Sequence, residues 1–301
     1  MPGFQRGDSN SGVDVNIQYG EVVEHIDGTT AEATCFQASP EQVLILLPSI
    51  ARILVVNGKS VTIKPLTQHK EKVIQLFLIN HVLGIILHQQ EKLVLHASVI
   101  QKNQKVIAFA GETGSGKSTL CAALCEQTDS FLIADEHCVL LNHCSLGLQV
   151  LSGSPLVQVW EDALTFIGKK TNNLDPIRPD MQKYYLPVRQ PVFLGKIGPP
   201  LMECYLLKWG SDSQISIREL CGQEKLTALL QQVYLWHYVK GMALQHQVFL
   251  KCSKLATQIA VFEFQRPRSF HRLEATIHFL DAAINRTTNY DSRIALDNEY
   301  A

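Results

Sequence analysis

The chain has 301 residues, 46% of them apolar and 18% charged. That is enough to bury a sizeable core in one large or two modest domains, and it excludes a disordered chain. With 27 Lys and Arg against 28 Asp and Glu the net charge is -1, and no block of like charge stands out. General attraction to nucleic-acid backbones or to anionic membranes is therefore excluded, and any anion must be held locally.

The opening MPGFQRGDSNSGVD carries neither the basic nor the apolar region of a secretory leader. No run of ~20 uninterrupted apolar residues occurs. The expectation is a cytoplasmic protein with neither nucleic acid nor membrane as partner. From about residue 13 to residue 65, short runs such as VDVNIQY, QVLILL and RILVVNGKSVTIK favour β-branched or alternating residues. The Asn57-Gly58 pair inside the last of these marks a hairpin. Residues 68–89 carry helical apolar spacing and predict a buried helix, with 73–87 the most apolar long stretch of the chain. Strand LVLHASVI, turn QKNQK, strand VIAFA, loop GETGSG, helix KSTLCAALCEQ and strands FLIADE and CVLLN follow, which is α/β character. The stretch 150–200, rich in proline, predicts a long excursion of loops with one short helix, VQVWEDALTFIG.

Strands MECYLLKW and QISIREL come next, then one helix over QEKLTALLQQVYLWHYVK, another near 250–258, strand IAVFEF and a last helix SFHRLEATIHFLDAAIN. The domain expectation is 1–90 as a β-rich module ending in a helix, 91–286 as an α/β domain, and 287–301 as a tail. Eight cysteines without a CxxC pair or zinc spacing are expected to be reduced core residues. The scattered histidines show no metal-binding pair. In VYLWHYVK, core packing of the aromatic residues is favoured over a base-stacking groove.

The segment Gly111-Glu112-Thr113-Gly114-Ser115-Gly116-Lys117-Ser118, followed by Thr119, fits G-x-x-x-x-G-K-[ST] between a predicted strand and a predicted helix. Glycines let successive backbone N–H groups turn inward around phosphate oxygens at the positive end of a helix. Lys117 supplies a cation for the β and γ phosphates, and the Ser118 hydroxyl is a hard ligand for Mg²⁺. The next strand ends on Asp135 and Glu136. Asp135 is placed to hold the Mg²⁺ shell opposite Ser118, and Glu136 to take a proton from an attacking hydroxyl. The alternative for both is a pair of solvated turn carboxylates. Such close spacing after Lys117 sets the chain apart from the ATP-binding cassette and GTPase plans, and neither LSGGQ nor N-K-x-D is present.

The run LHASVI, then AFAGETGSGKSTL, then LIADE, resembles the HPr kinase/phosphorylase family and related HPr-kinase-like serine kinases, over residues 85–145 with a thinner echo to 285. The resemblance implies an α/β, P-loop fold of the HPr kinase / PEP carboxykinase-like kind for the 91–286 domain. It also implies a site histidine at His96, whose alternative is a core residue, and an assisting arginine at Arg178. KYYLPVRQP, with Lys183, Pro187, Val188 and Arg189, looks like the family's Lys-x-x-x-Pro-Val-Arg stretch. Two departures stand out: Glu136 replaces the usual second Asp, and Gln149 occupies the place of a further magnesium carboxylate, so a reverse phosphorylase reaction is not expected. The implied function is transfer of the γ-phosphoryl group of ATP, with Mg²⁺, to a serine of a small protein or peptide, either HPr-like or a natural-product precursor of the lasso-peptide kind. The implied enzyme is a homo-oligomer. The competing classes are a P-loop ATPase or switch and a non-catalytic ATP-binding scaffold.

Overall fold

The computed structural model describes residues 15–143, 147–178, 180–191, 197–210 and 214–298. Strands β1 (Asn16–Tyr19), β2 (Ala31–Ala33), β3 (Phe36–Ala38), β4 (Gln42–Leu47), β5 (Ala51–Val56) and β6 (Ser60–Pro65) precede helices α1 (Glu71–Phe77) and α2 (Leu83–Gln89). Then come β7 (Leu93–Lys102), β8 (Lys105–Ala110), α3 (Lys117–Gln127), β9 (Ser130–Ala134), β10 (His137–His143), β11 (Gly147–Leu151) and β12 (Leu156–Trp160). Helix α4 (Glu161–Ile167) leads to β13 (Lys183–Pro187), β14 (Ile197–Gly210), β15 (Ser216–Glu219), α5 (Gly222–Gln231), α6 (Trp236–Gly241), α7 (Gln245–Gln258), β16 (Ala260–Pro267) and α8 (Leu273–Asn298).

The chain divides into two compact units, one of Met1–His96, Val139–Leu141 and Leu229–Thr257, the other of Ala97–Cys138, Asn142–Ala228 and Gln258–Ala301. This differs from a single border at residue 90, because the segment from Leu229 returns to the first unit.

In the first unit six strands form one sheet in the order β1-β6-β5-β4-β3-β2. The period-2 pattern of the sequence is realised in β5, where Ala51, Ile53 and Val55 are buried and their neighbours are not. The predicted hairpin joins β5 to β6 through Asn57 and Gly58, at φ 51° and 62°, the left-handed pair that a two-residue turn requires. The buried helix falls in α1 and α2, with the turn between them, Leu78–Val82, wound as a π-helix. Ile74, Leu78, Val82 and Ile85 pack into one core with Val43, Ile53 and Ile63. Among the described residues Glu71–Gln89 is the one helix long and apolar enough to cross a membrane, and these core residues lie on it.

The long helix expected over QEKLTALLQQVYLWHYVK is broken. Val233 bridges to Leu95 and the Tyr234 N–H donates to the Val94 carbonyl, so β7 takes the backbone groups that a helix would use. Leu235 then turns left-handed at φ 53° before α6 begins. Tyr234 and Tyr238 are buried, Tyr238 in the first unit's core. The core reading of the aromatic run holds, although Leu235 and Trp236 are only half-buried.

The second unit is mixed α/β. Its sheet runs β11-β10-β7-β8-β14-β16-β15, with β9 also paired to β7; β8, β14 and β16 are parallel and β7 is antiparallel to both β8 and β9. Helix α3 packs on this sheet together with α4 and α8, whose Leu273, Ile277, Leu280 and Ile284 recur at helical spacing in the same core. The stretch expected as loops holds more structure than foreseen. Residues 157–160 belong to β12, which pairs with β13 in a two-stranded ribbon, and the short helix begins only at Glu161. At the other end α8 continues to Asn298, past the expected end at 286. Cys35 and Cys221 are exposed, a correction to the core expectation, while the five other described cysteines are buried. Cys144 lies outside the described residues.

Candidate functional site

Strands β8, β9, β14 and β16 point the same way, since β7 opposes both β8 and β9. Their carboxyl ends therefore share one edge of the sheet, the edge where α/β folds present ligands. The glycine loop leaves β8 at that edge and runs into α3, and Asp135 and Glu136 follow the last residue of β9. Ser98, on β7 between the two strand ends, pairs with Phe109 of β8.

Two glycines of the loop have no substitute. Gly111 sits at φ 141°, where a Cβ would lie 2.8 Å from the Leu207 carbonyl oxygen. Gly116, left-handed at φ 84°, would bring a Cβ to 2.5 Å from Arg266 Nη2. Glu112, Thr113 and Gly114 form the exposed tip, whereas Ser115 and Lys117 are buried. Lys117 Nζ donates to the carbonyls of Gly111 (2.9 Å) and Glu112 (3.2 Å), which leaves one of its three donors. Burial pulls the Lys117 pKa below the usual lysine value, against Glu136 and then Asp135, which hold it up. No side chain caps the amino end of α3, whose next residues are Ser118 and Thr119.

Asp135 is the centre of the polar network. Its Oδ1 accepts from Ser98 Oγ at 2.5 Å and Ser118 Oγ at 3.0 Å, and its Oδ2 from the Gln158 N–H at 3.1 Å. Burial pushes the Asp135 carboxyl up and the Glu136 charge adds to this, while the three donors oppose it. Glu136 has φ 68°, and the His137 N–H donates to the Asp135 carbonyl at 2.9 Å. This is a γ-turn with the acid at its centre, a strained geometry of the sort that marks functional positions.

No family model and no curated protein matches this chain. Among solved structures it is similar to the HPr(Ser) kinase/phosphatase from Coxiella burnetii at 12% identity and a TM-score of 0.34, over 67% of this chain and 97% of that one.

The expected residues divide by location. The structure brings together Lys117, Ser118, Asp135 and Glu136 at the sheet edge. His96 belongs to the first unit, where its N–H bonds the Gln232 carbonyl and its ring tilts against Tyr234 at 5.5 Å. Arg178 pairs with Asp180, and among the described residues it bonds neither the loop nor the acids. Lys183 stands nearer: its Nζ donates to Gln158 Oε1 at 3.3 Å and its charge lowers the Lys117 pKa. Arg189 donates to the carbonyls of Cys125 and Thr128 at 2.8 and 2.7 Å, closing the carboxyl end of α3. Gln149 lies on β11 opposite Pro200.

The donor set fits a triphosphate with its divalent ion. Ser115 Oγ is buried without a hydrogen-bond partner, and Lys117 keeps a donor in reserve. Ser118 and Asp135 offer hard oxygens to a cation. Sequence reasoning missed Ser98, Gln158 and Arg266. Ser98 had a signal, being the first residue after His96 and Ala97 on a strand leading to the loop. The other two come from distant strands and left none.

Proposed function

We propose that the protein is a P-loop serine kinase that transfers the γ-phosphoryl group of ATP to a serine hydroxyl of a small protein or peptide. The observation that carries this is the Ser118–Asp135 contact, oriented by Ser98 and Gln158, beside a lysine-bearing glycine loop and a strained second acid. The motif order LHASVI, AFAGETGSGKSTL and LIADE supports a hydroxyl rather than water as acceptor.

On this reading the loop N–H groups and Lys117 hold the phosphates, and Ser118 and Asp135 hold Mg²⁺, which when bound neutralises charge on the β and γ phosphates. Asp135 must be ionised for this, and its three donors favour the ionised form against burial. Glu136 accepts the proton of the acceptor hydroxyl as its oxygen bonds to phosphorus and the bond to the ADP oxygen breaks. Lys183, from β13, offsets charge on the migrating group, a part that the sequence resemblance implies for Arg178.

The test is incubation with labelled ATP, Mg²⁺ and a panel of serine peptides. Labelled peptide is expected. Free phosphate alone would make the protein an ATPase, and neither product would make it a scaffold. Lys117→Ala is expected to weaken MgATP affinity, while Glu136→Gln keeps affinity and stops transfer. Wild-type turnover by Glu136→Gln would remove Glu136 as the base.

A further inference from the structure

Strand β14 extends past the end of β8. Leu206 pairs with Ala110, the last residue of β8, and further along the same strand Trp209 pairs with Arg266 of β16. Both residues lie on the face of Leu207 and Phe264, two positions earlier, which pack in the core with α3. Trp209 and Arg266 thus stand beside the glycine loop where it enters that helix.

Arg266 is 5% exposed. Its Nη2 donates to the Ser115 carbonyl at 2.7 Å, and its guanidinium lies 4.2 Å from the centre of the Trp209 ring. Its Nε is buried without a hydrogen-bond partner, and no carboxylate among the described residues pairs with it. Burial alone displaces its pKa, down to about 10. A desolvated guanidinium is costly unless paired, and an aromatic face offsets only part of that cost. The group it touches is the backbone that the kinase reading assigns to phosphate, and the Gly116 position is shaped around it, with Nη2 at 2.5 Å from a would-be Cβ.

We propose that Arg266 is a positioning residue for the phosphate loop: it holds Ser115 and Gly116 in the binding conformation and supplies from behind the loop a buried positive charge whose counter-charge is the bound phosphate chain. Trp209 is its shelf. The inference rests on the nucleotide reading and adds to it a cation that lies outside the G-x-x-x-x-G-K-[ST] motif.

The experiment is calorimetric titration of the full chain with MgATP and with magnesium tripolyphosphate, at low and high salt, with tryptophan fluorescence followed in parallel. Arg266→Met keeps length and packing over Trp209, and it is expected to weaken both ligands about tenfold or more, with a shallower salt dependence. Arg266→Lys, which keeps the charge without the planar fork, is expected to recover part of the loss. Wild-type protein is expected to show a fluorescence change on saturation that Trp209→Phe lacks. If wild type binds neither ligand, the nucleotide reading falls and this proposal with it. If wild type binds and Arg266→Met binds equally well below its unfolding temperature, only the Arg266 proposal is overturned. Should Arg266→Met fail to fold, Arg266→Gln, which removes the charge but keeps a donor for the Ser115 carbonyl, overturns it by binding both ligands with wild-type affinity at both salt concentrations.

Discussion

Ser98 has no exposed surface and donates to a carboxylate that burial drives toward protonation. A hydrogen bond to a charged group is worth about 1.5–3 kcal/mol. Ser98→Ala should therefore lower stability toward urea by about that amount at neutral pH. The sign of the pH effect follows from the direction of the shift. With the folded pKa of Asp135 above the ordinary carboxylate value, the ionised acid lowers stability as pH rises through that folded pKa, and Ser98 relieves the penalty only while the acid is charged. The cost of Ser98→Ala should accordingly shrink in acid, and an equal cost at pH 7 and near pH 4 would contradict the assignment. The cysteines give a second expectation. Burial raises Cys125, Cys204 and Cys252 from the ordinary thiol value of 9.0 to about 12, so the stability tied to these thiols is complete below pH 9 and is lost as pH climbs toward 12. Near pH 8 a thiol reagent should label Cys35 and Cys221 in native protein, and the five buried thiols only after unfolding. Residue type alone announced that cysteines tend to be buried. It could not show that Cys35 falls in the turn between β2 and β3 or that Cys221 precedes α5.

At the scale of elements, local chemistry was legible wherever the chain's own spacing decides the outcome. The left-handed Asn57 and Gly58, the alternating β5 and the glycine loop between β8 and α3 are all of this kind. It failed where a distant partner decides. The apolar spacing of VYLWHYVK is helical, yet β7 claims the backbone of Val233 and Tyr234. VQVW reads as part of a helix in the sequence because its partner β13 lies more than twenty residues on, across α4. Arg189 shows the same limit in reverse. The motif that contains it draws attention to catalysis, while its guanidinium closes α3, the helix that carries Lys117 and Ser118. Arg189→Met should lower the unfolding temperature, at a cost of about 1 kcal/mol for an exposed cation at a helix carboxyl end. MgATP affinity measured on the folded fraction should stay unchanged, since the arginine meets carbonyls at the far end of the helix from the loop.

For the molecule as a whole, the expected border at residue 90 follows a change of period from helix to strand, and α2 does end at Gln89 and β7 begin at Leu93. What a linear scan could not detect is that Leu229–Thr257 returns to the first unit. Tyr238 and Met242 pack in one core with Ala38, Val43 and Ile53, and Gly241 would bring a Cβ within 2.6 Å of the Ala38 side chain. A fragment cut to 91–286 would leave the apolar face of α6 without this sheet. It should bind a hydrophobic dye and elute as aggregate in size-exclusion chromatography, whereas the full chain should do neither.

The same discontinuity sets the order of events during synthesis. The strands of the first unit leave the ribosome long before Tyr238 and Met242 exist, an interval of about 10–30 s at ordinary translation rates. Throughout that time the nascent sheet lacks the late residues of its core, a window in which a holding chaperone would find it and in which a slow codon stretch near residue 240 would prolong the exposure.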